Sequence, residues 1–230
     1  MAQQENLRVD SRQSPVATRL LLVRHGETEG NVNKVWHGEL DAPLTERGQL
    51  QVAATANRLK QLHAQHPIDA FYVSPLPRAQ STADAIHQAT GLAPVTEPGL
   101  REFGLGDWEG RSLQELREVE DLWSRWEADP AFAPPNGESP LLFNQRAVQT
   151  LEILAERHVG ETILVVTHGA FISSVLATWL GTHASDWRTY DAHNCALSIL
   201  IQRGNKWHGE LVNDISHLPE AARVEYHADY

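Results

Sequence analysis

Short apolar runs alternate with helical stripes along this chain. Leu20 to Val23, Ile68 to Val73 and Thr162 to Val166 are compact apolar runs closed by polar or turn residues, the pattern of buried strands. Between them lie longer amphipathic stretches. Gln49 to Ala64 carries an approximate stripe of Leu50, Ala53, Ala54, Leu59 and Leu62, behind Thr45 as N-cap and Glu46 in the first turn. Pro77 to Ala89 opens with proline in the first helical turn and stops at Gly91. Leu141 to His158 and the stretch after Gly169 through Leu180 predict two further helices. Ser112 and Glu115 have the spacing of a capping box and predict one helix over Ser112 to Trp126. Pro94 to Thr96 is a short strand, and Cys195 to Gln202 pairs with Lys206 to Val212 through a turn at Gly204-Asn205. Gly30 to Pro43, Gly99 to Gly110 and the proline-rich Asp129 to Gly137 are loops. Strands alternating with helices predict an α/β fold: a three-layer α/β/α sandwich with a mostly parallel central sheet.

Length and composition narrow the picture. The 230 residues fit one domain over 19–230, with a lid-like insertion around 99–140 and a flexible arm over 1–18. That arm is polar and lacks the apolar core of a signal peptide. The longest apolar stretch, Ile163 to Leu180, is broken by Thr167, His168, Gly169, Ser173 and Ser174 and falls short of a membrane span. The single cysteine, Cys195, excludes an internal disulfide and fits a reducing compartment. A soluble cytoplasmic protein with no membrane partner is expected. A formal net charge of −11 argues against nucleic acid as a partner. It also means that any anionic substrate must be met by a local focus of positive charge.

Two strands supply such a focus. Leu22-Val23-Arg24-His25-Gly26 and Val165-Val166-Thr167-His168-Gly169 end alike, and Tyr72-Val73-Ser74-Pro75 leads into Arg78 on the first turn of a helix. If these strands are neighbours, their carboxyl ends gather two imidazoles, two guanidiniums and a helix N-terminus at the edge where open α/β sheets bind ligands. Guanidinium forks and free helix N–H groups both suit a phosphate dianion. Twelve histidines raise the question of a metal, but no HxH or HExxH spacing occurs, and no metal or other cofactor is expected. On the residues alone His37, His193, His208 and His217 read as surface or structural, with His217 a tether for the carboxyl-terminal segment. Trp36 and Trp108 lie in loops that could wall a pocket.

The ordered set of motifs resembles the histidine phosphatase superfamily, the phosphoglycerate mutase-like family. The motifs are Arg24-His25-Gly26-Glu27-Thr28 with Asn31, Pro43-Leu44-Thr45-Glu46-Arg47-Gly48 and Ser74 through Thr82. Further on come Arg101-Glu102-Phe103-Gly104, Trp108-Glu109-Gly110, Gly137-Glu138-Ser139, Thr167-His168-Gly169 and Asn213 through Leu218. The resemblance implies that His25 is the nucleophile that becomes phosphohistidine. Arg24, Arg78 and His168 complete the phosphate pocket, and Glu102 is the general acid. Thr28 and Asn31 are implied to hydrogen-bond phosphoryl or substrate oxygens, and His37, Gly38, Gly169 and Ala170 to line the site. Attack needs a neutral His25, and a cationic His168 would stabilise the equatorial oxygens, so the environment should split two imidazoles of like intrinsic basicity.

The family includes mutases as well as phosphatases. Mutase members place a tyrosine three residues after the acid and a lysine further on; Leu105 and Leu113 stand there instead. The mutase arginine pair is missing too, with Arg125 alone between Asp121 and Asp129. The expected activity is therefore a metal-independent phosphomonoesterase. A wall of Phe103, Leu105 and Trp108 would favour a less charged leaving group, as in a sugar phosphate. A phosphoglycerate mutase is the alternative, and a non-catalytic phosphate-binding module a third. The partner is a small phosphomonoester, and the carboxyl-terminal strand pair offers an edge for a homodimer.

Overall fold

The first strand sets the architecture. In β1 (Arg19–Arg24), Leu20 and Leu22 project to one face of the sheet and Leu21 and Val23 to the other, and all four are buried. The computed structural model describes residues 17–181 and 189–223. β1 is followed by a short helix α1 (Glu29–Val32), α2 (Glu46–Gln65), β2 (Ala70–Val73), α3 (Pro77–Thr90) and β3 (Val95–Thr96). Then come α4 (Leu113–Glu118), α5 (Leu122–Ala128), α6 (Pro140–Arg157), β4 (Thr162–Thr167), α7 (Gly169–Leu180), β5 (Leu197–Arg203) and β6 (Lys206–Asp214). The sheet order is β3-β2-β4-β1-β5-β6. β1, β2, β3 and β4 run parallel, and β5 is antiparallel to both β1 and β6.

The two faces hold separate cores. Leu21, Val23, Leu164 and Val166 pack with Ala56 and Leu59 of α2 and Ala79, Ala83 and Ile86 of α3. Leu20, Leu22, Ile163 and Val165 pack with Phe143, Leu151 and Leu154 of α6 and Phe171, Ile172 and Val175 of α7. Each fully buried leucine or valine contributes about 2 kcal/mol of transfer free energy, so β1 alone ties both layers together. This is the expected three-layer sandwich. Helix ends follow their sequence signals: Thr45 Oγ1 accepts from Gly48 N at 2.9 Å, and Gly91 ends α3 in the left-handed region at φ +79.

Two local expectations change. The single helix over Ser112 to Trp126 is two helices, α4 and α5, broken where Asp121 takes φ +48. Leu116 and Leu122, six positions apart, would lie about 240° apart on a continuous helix. Both are fully buried, and the break lets both reach the core. The capping box at Ser112 and Glu115 does form. The Gly30 to Pro43 stretch is not wholly irregular, since its first residues belong to α1. Residues 1–16 of the expected arm lie outside the described residues; Thr18 is buried and accepts from Gly160 N at 2.9 Å. Among the described residues no helix is long and apolar enough to cross a membrane.

Candidate active site

The strand ends meet as their matching sequences imply. Arg24 sits opposite Thr167, and Val73 opposite Val166, so β1, β4 and β2 end side by side. His25 N donates to Thr167 O at 3.0 Å and Ser74 N to Val166 O at 3.0 Å, extending the register one residue past the sheet. His25 and His168 are thereby held with ring centroids 5.2 Å apart.

The tautomer of His25 follows from its partner. Nδ1 lies 2.8 Å from the carbonyl of Gly26, and a carbonyl only accepts, so Nδ1 carries the proton. Nε2 keeps its lone pair and accepts from Arg78 Nε at 3.3 Å. His168 precedes α7 as its N-cap, with Nε2 2.6 Å from Ser74 Oγ. Burial, then Arg78 and Arg24, hold His25 well below the usual imidazole range. Burial, then Arg78, His25, Arg24 and Arg146, do the same to His168. The expected split is therefore not built into the protein. With its own charges alone both rings are neutral at pH 7, and a bound dianion is the counter-charge that would favour a cationic His168.

Both guanidiniums are anchored by carbonyls. Arg24 donates to Ala192 O at 2.6 Å. Its side chain lies flat against Gly169, where a Cβ would stand 3.1 Å from the guanidinium carbon. Arg78, in the first turn of α3, donates from its two terminal nitrogens to Gly38 O at 2.6 Å and Leu40 O at 2.7 Å. With Nε on His25, three of its five N–H groups are engaged and two remain for an anion.

Glu102 stands at the N-terminus of α7. Its carboxylate accepts from Ala170 N and Phe171 N, both at 3.2 Å, and from Phe103 N at 3.0 Å. The loop of Thr28 and Asn31 is also locked. Asn31 Oδ1 accepts from Thr28 N, Thr28 Oγ1 and Asn194 Nδ2 at 3.0, 3.1 and 3.2 Å. What Asn31 offers a ligand is its NH2 group, and the Thr28 hydroxyl proton is already engaged.

A pocket of ≈ 180 Å³ is lined by Arg24, His25, Thr28, Asn31, His37, Gly38, Arg78, Glu102, Gly169 and Ala170. His168 lies just behind it, fully buried. The outer wall is Lys34, Val35, Trp36, Leu113, Trp123 and Asp191. The expected wall of Phe103, Leu105 and Trp108 is wrong, because all three are buried in the core. Phe103 stacks between Phe143 and Trp126 at 4.5 and 5.0 Å. Trp108 is shielded by Arg111 and Arg125. Trp36 does face the pocket, and Trp123 takes the place foreseen for Trp108. His217 Nε2 lies 3.0 Å from Thr55 Oγ1 and ties the segment after β6 to α2, the tether expected of it. Among the described residues no group of three His, Cys, Asp or Glu stands together as a metal site would need.

Two further residues support the site through partners that the sequence does not specify, Glu109 although it stands in a motif. Asn194 Nδ2 holds the carbonyl of His25 at 3.1 Å as well as Asn31. Glu109 accepts from Glu39 N, Leu40 N and Leu105 N at 2.9, 3.1 and 3.2 Å, fixing the loop whose carbonyls hold Arg78. Apart from the local bond to Leu105 N, these contacts span more than sixty residues of chain.

The carboxyl ends of the parallel strands in this mixed sheet thus bring two imidazoles and two guanidiniums together at one edge. The chain belongs to branch 1 of the histidine phosphatase superfamily, whose family model matches residues 20–215. It is 34% identical over 214 residues to a protein of Cronobacter sakazakii named "Probable phosphoglycerate mutase GpmB", covering 90% of this chain and 98% of that one. The alpha-ribazole phosphatase from Shigella flexneri is similar in structure, with TM-score 0.72 and 30% identity over 85% of this chain and 96% of its own. A mutant phosphoserine phosphatase from Entamoeba histolytica, in complex with phosphoserine, is similar with TM-score 0.77 and 28% identity, covering 88% of this chain and all of its own.

Proposed function

We propose that the protein is a phosphomonoesterase that hydrolyses small phosphate esters through a phosphohistidine on His25. The observation that carries this reading is the hydrogen bond from His25 Nδ1 to Gly26 O, which leaves Nε2 as an oriented, unprotonated nucleophile. Nε2 attacks phosphorus as the ester oxygen departs. Arg24 and Arg78 hold the equatorial oxygens, supplying the charge that a metal ion supplies elsewhere, so we infer that no metal is needed. Glu102, at the pocket wall, gives its proton to the departing alkoxide. It then takes one from the water that attacks phospho-His25, which returns His25 and releases inorganic phosphate.

The outer wall supports hydrolysis over mutase chemistry. Beyond the phosphate cluster it is aromatic and apolar, with Lys34 and Asp191 as opposed charges. A carboxylated bisphosphate needs a surplus of cations there, which the described residues of this wall do not offer. The pocket is also below the ~300–1,000 Å³ of sites that enclose larger ligands, which favours a compact ester such as a sugar phosphate. The names of the relatives point both ways, so the mutase is the second reading. The joint presence of His25, Arg24, Arg78 and Glu102 in one pocket disfavours a module that only binds phosphate.

The test is phosphate release from p-nitrophenyl phosphate and a phosphomonoester panel, in EDTA, for the wild type and His25→Ala. Activity in EDTA that disappears in the variant, with an acid-labile phosphoenzyme trapped on the wild type, is the expected result. Exchange between 3-phosphoglycerate and 2-phosphoglycerate that depends on 2,3-bisphosphoglycerate, with no net hydrolysis, would move the assignment to the mutase. Neither activity would overturn both.

A further inference from the structure

The most completely bonded side chain near the site belongs to a residue that touches no substrate. Arg146 projects from α6 and engages all five of its N–H groups. One terminal nitrogen donates to Gly99 O at 2.8 Å and Arg101 O at 2.9 Å. The other donates to Glu102 O at 3.2 Å and Glu138 Oε2 at 2.6 Å, while Nε donates to Glu138 Oε1 at 2.9 Å. Three carbonyls of the segment that carries Glu102 are thus gathered on one guanidinium, and Glu138 turns that guanidinium by a bidentate pair. Glu138 belongs to the Gly137-Glu138-Ser139 motif, whose Ser139 caps α6, so brace and helix start together. The opposite end of Glu102 is pinned by the N–H groups of Ala170 and Phe171.

We propose that Arg146, oriented by Glu138, is a positioning residue that sets the reach of the Glu102 carboxyl toward the leaving-group oxygen. The inference rests on the reading of Glu102 as the general acid. A guanidinium is the one side chain that can donate to three carbonyls and a carboxylate in one plane; an ammonium has three donors at a single point. Displacing a catalytic acid by about 1 Å can cost on the order of a hundredfold in rate. The loss falls on substrates whose leaving group needs the proton. p-Nitrophenolate departs without one, whereas an alkoxide does not.

The experiment compares Arg146→Lys and Glu138→Gln with the wild type on p-nitrophenyl phosphate and on β-glycerophosphate, with Glu102→Ala as reference. Backbone amide exchange of Ala170 and Phe171 is measured on the same proteins. Arg146→Lys is expected to lower kcat on β-glycerophosphate about 10- to 100-fold and on p-nitrophenyl phosphate less than about 3-fold. Ala170 and Phe171 should exchange faster in the variant, as in Glu102→Ala, and Glu138→Gln should follow in weaker form. Equal slowing of both substrates, or unchanged exchange at Ala170 and Phe171, overturns the proposal. If the wild type cleaves neither ester, the phosphatase reading falls, and the exchange measurement alone decides whether Arg146 holds Glu102.

Discussion

Acidification from pH 7.5 to 5.5 should destabilise the fold through two side chains, His25 and His168. They are 3% and 0% exposed. Each is held well below the usual imidazole range, first by burial and next by the charge of Arg78. The unfolded chain protonates a histidine near pH ~6.5. Between that pH and the depressed folded value the unfolded state binds more protons, so stability falls as pH falls. The contribution is fully present above the unfolded value and is lost progressively below it. For an imidazole that stays neutral in the fold, the loss between pH 7.5 and 5.5 is at most RT ln(11/1.1), between about 1 and 2 kcal/mol, or up to about 3 kcal/mol for the pair. The net charge of −11 acts in the opposite sense, since protonation relieves self-repulsion. A protein carrying His25→Gln and His168→Gln shares that background. Urea unfolding at both pH values gives the change in free energy for each protein. The wild type should lose more than the double variant, by up to about 3 kcal/mol. A difference below about 0.5 kcal/mol would mean that the folded imidazoles protonate with ordinary ease, and the argument from burial and Arg78 would fail. Saturating vanadate should shrink the difference, because a bound oxyanion favours the imidazolium.

Other expectations follow from particular contacts. The profile of kcat/KM against pH should show no inflection near 6.5 from His25, because burial and Arg78 lower its proton affinity; an acid limb centred at 6.5 in the free enzyme would contradict this. Gly48→Ala would place a Cβ 2.1 Å from the Glu27 carbonyl oxygen, a backbone atom that cannot rotate away, and should cost about 2–3 kcal/mol in urea unfolding. Gly30→Ala would bring its Cβ first against the His37 ring. That ring can swing aside, so stability should change by under about 1 kcal/mol while KM rises through the lost pocket wall. Phe143→Ala removes the ring stacked at 4.5 Å on Phe103 and should cost about 3–5 kcal/mol, read as a fall in denaturation midpoint.

The sheet was legible because its signals are local. Leu20 to Val23 and Thr162 to Val166 are strands by run length, and their shared endings place Arg24, His25 and His168 at one edge before any pairing is known. Thr45, Pro77, Gly91 and Ser112 announce helix ends through chemistry confined to a few neighbours. The break at Asp121 was hidden, because only the core decides that Leu116 and Leu122 must both turn inward. Phe103, Leu105 and Trp108 were placed at the pocket for a related reason: sequence shows that they are apolar but not which side of the loop they cover. Asn194, Glu109 and Arg146 support the site through side-chain bonds to distant backbone, and nothing in their immediate sequence marks such a partner.

The position of β1 has a consequence for how the molecule is assembled. Among the described residues it is the earliest strand, yet its partners β4 and β5 are among the latest. Asn194 and Ala192 reach back 169 and 168 residues to hold His25 and Arg24. During vectorial synthesis His25 therefore emerges long before Asn194 can orient it, and β1 waits for β4 and β5 as an apolar segment. Chain closure across such separations is slow compared with helix formation. A growing chain that has passed Arg78 but not Ala192 and Asn194 thus holds Arg24 and Arg78 without the carbonyl and the amide that fix Arg24 and His25. The arrangement is completed only when the segment carrying Ala192 and Asn194 reaches the end of β1.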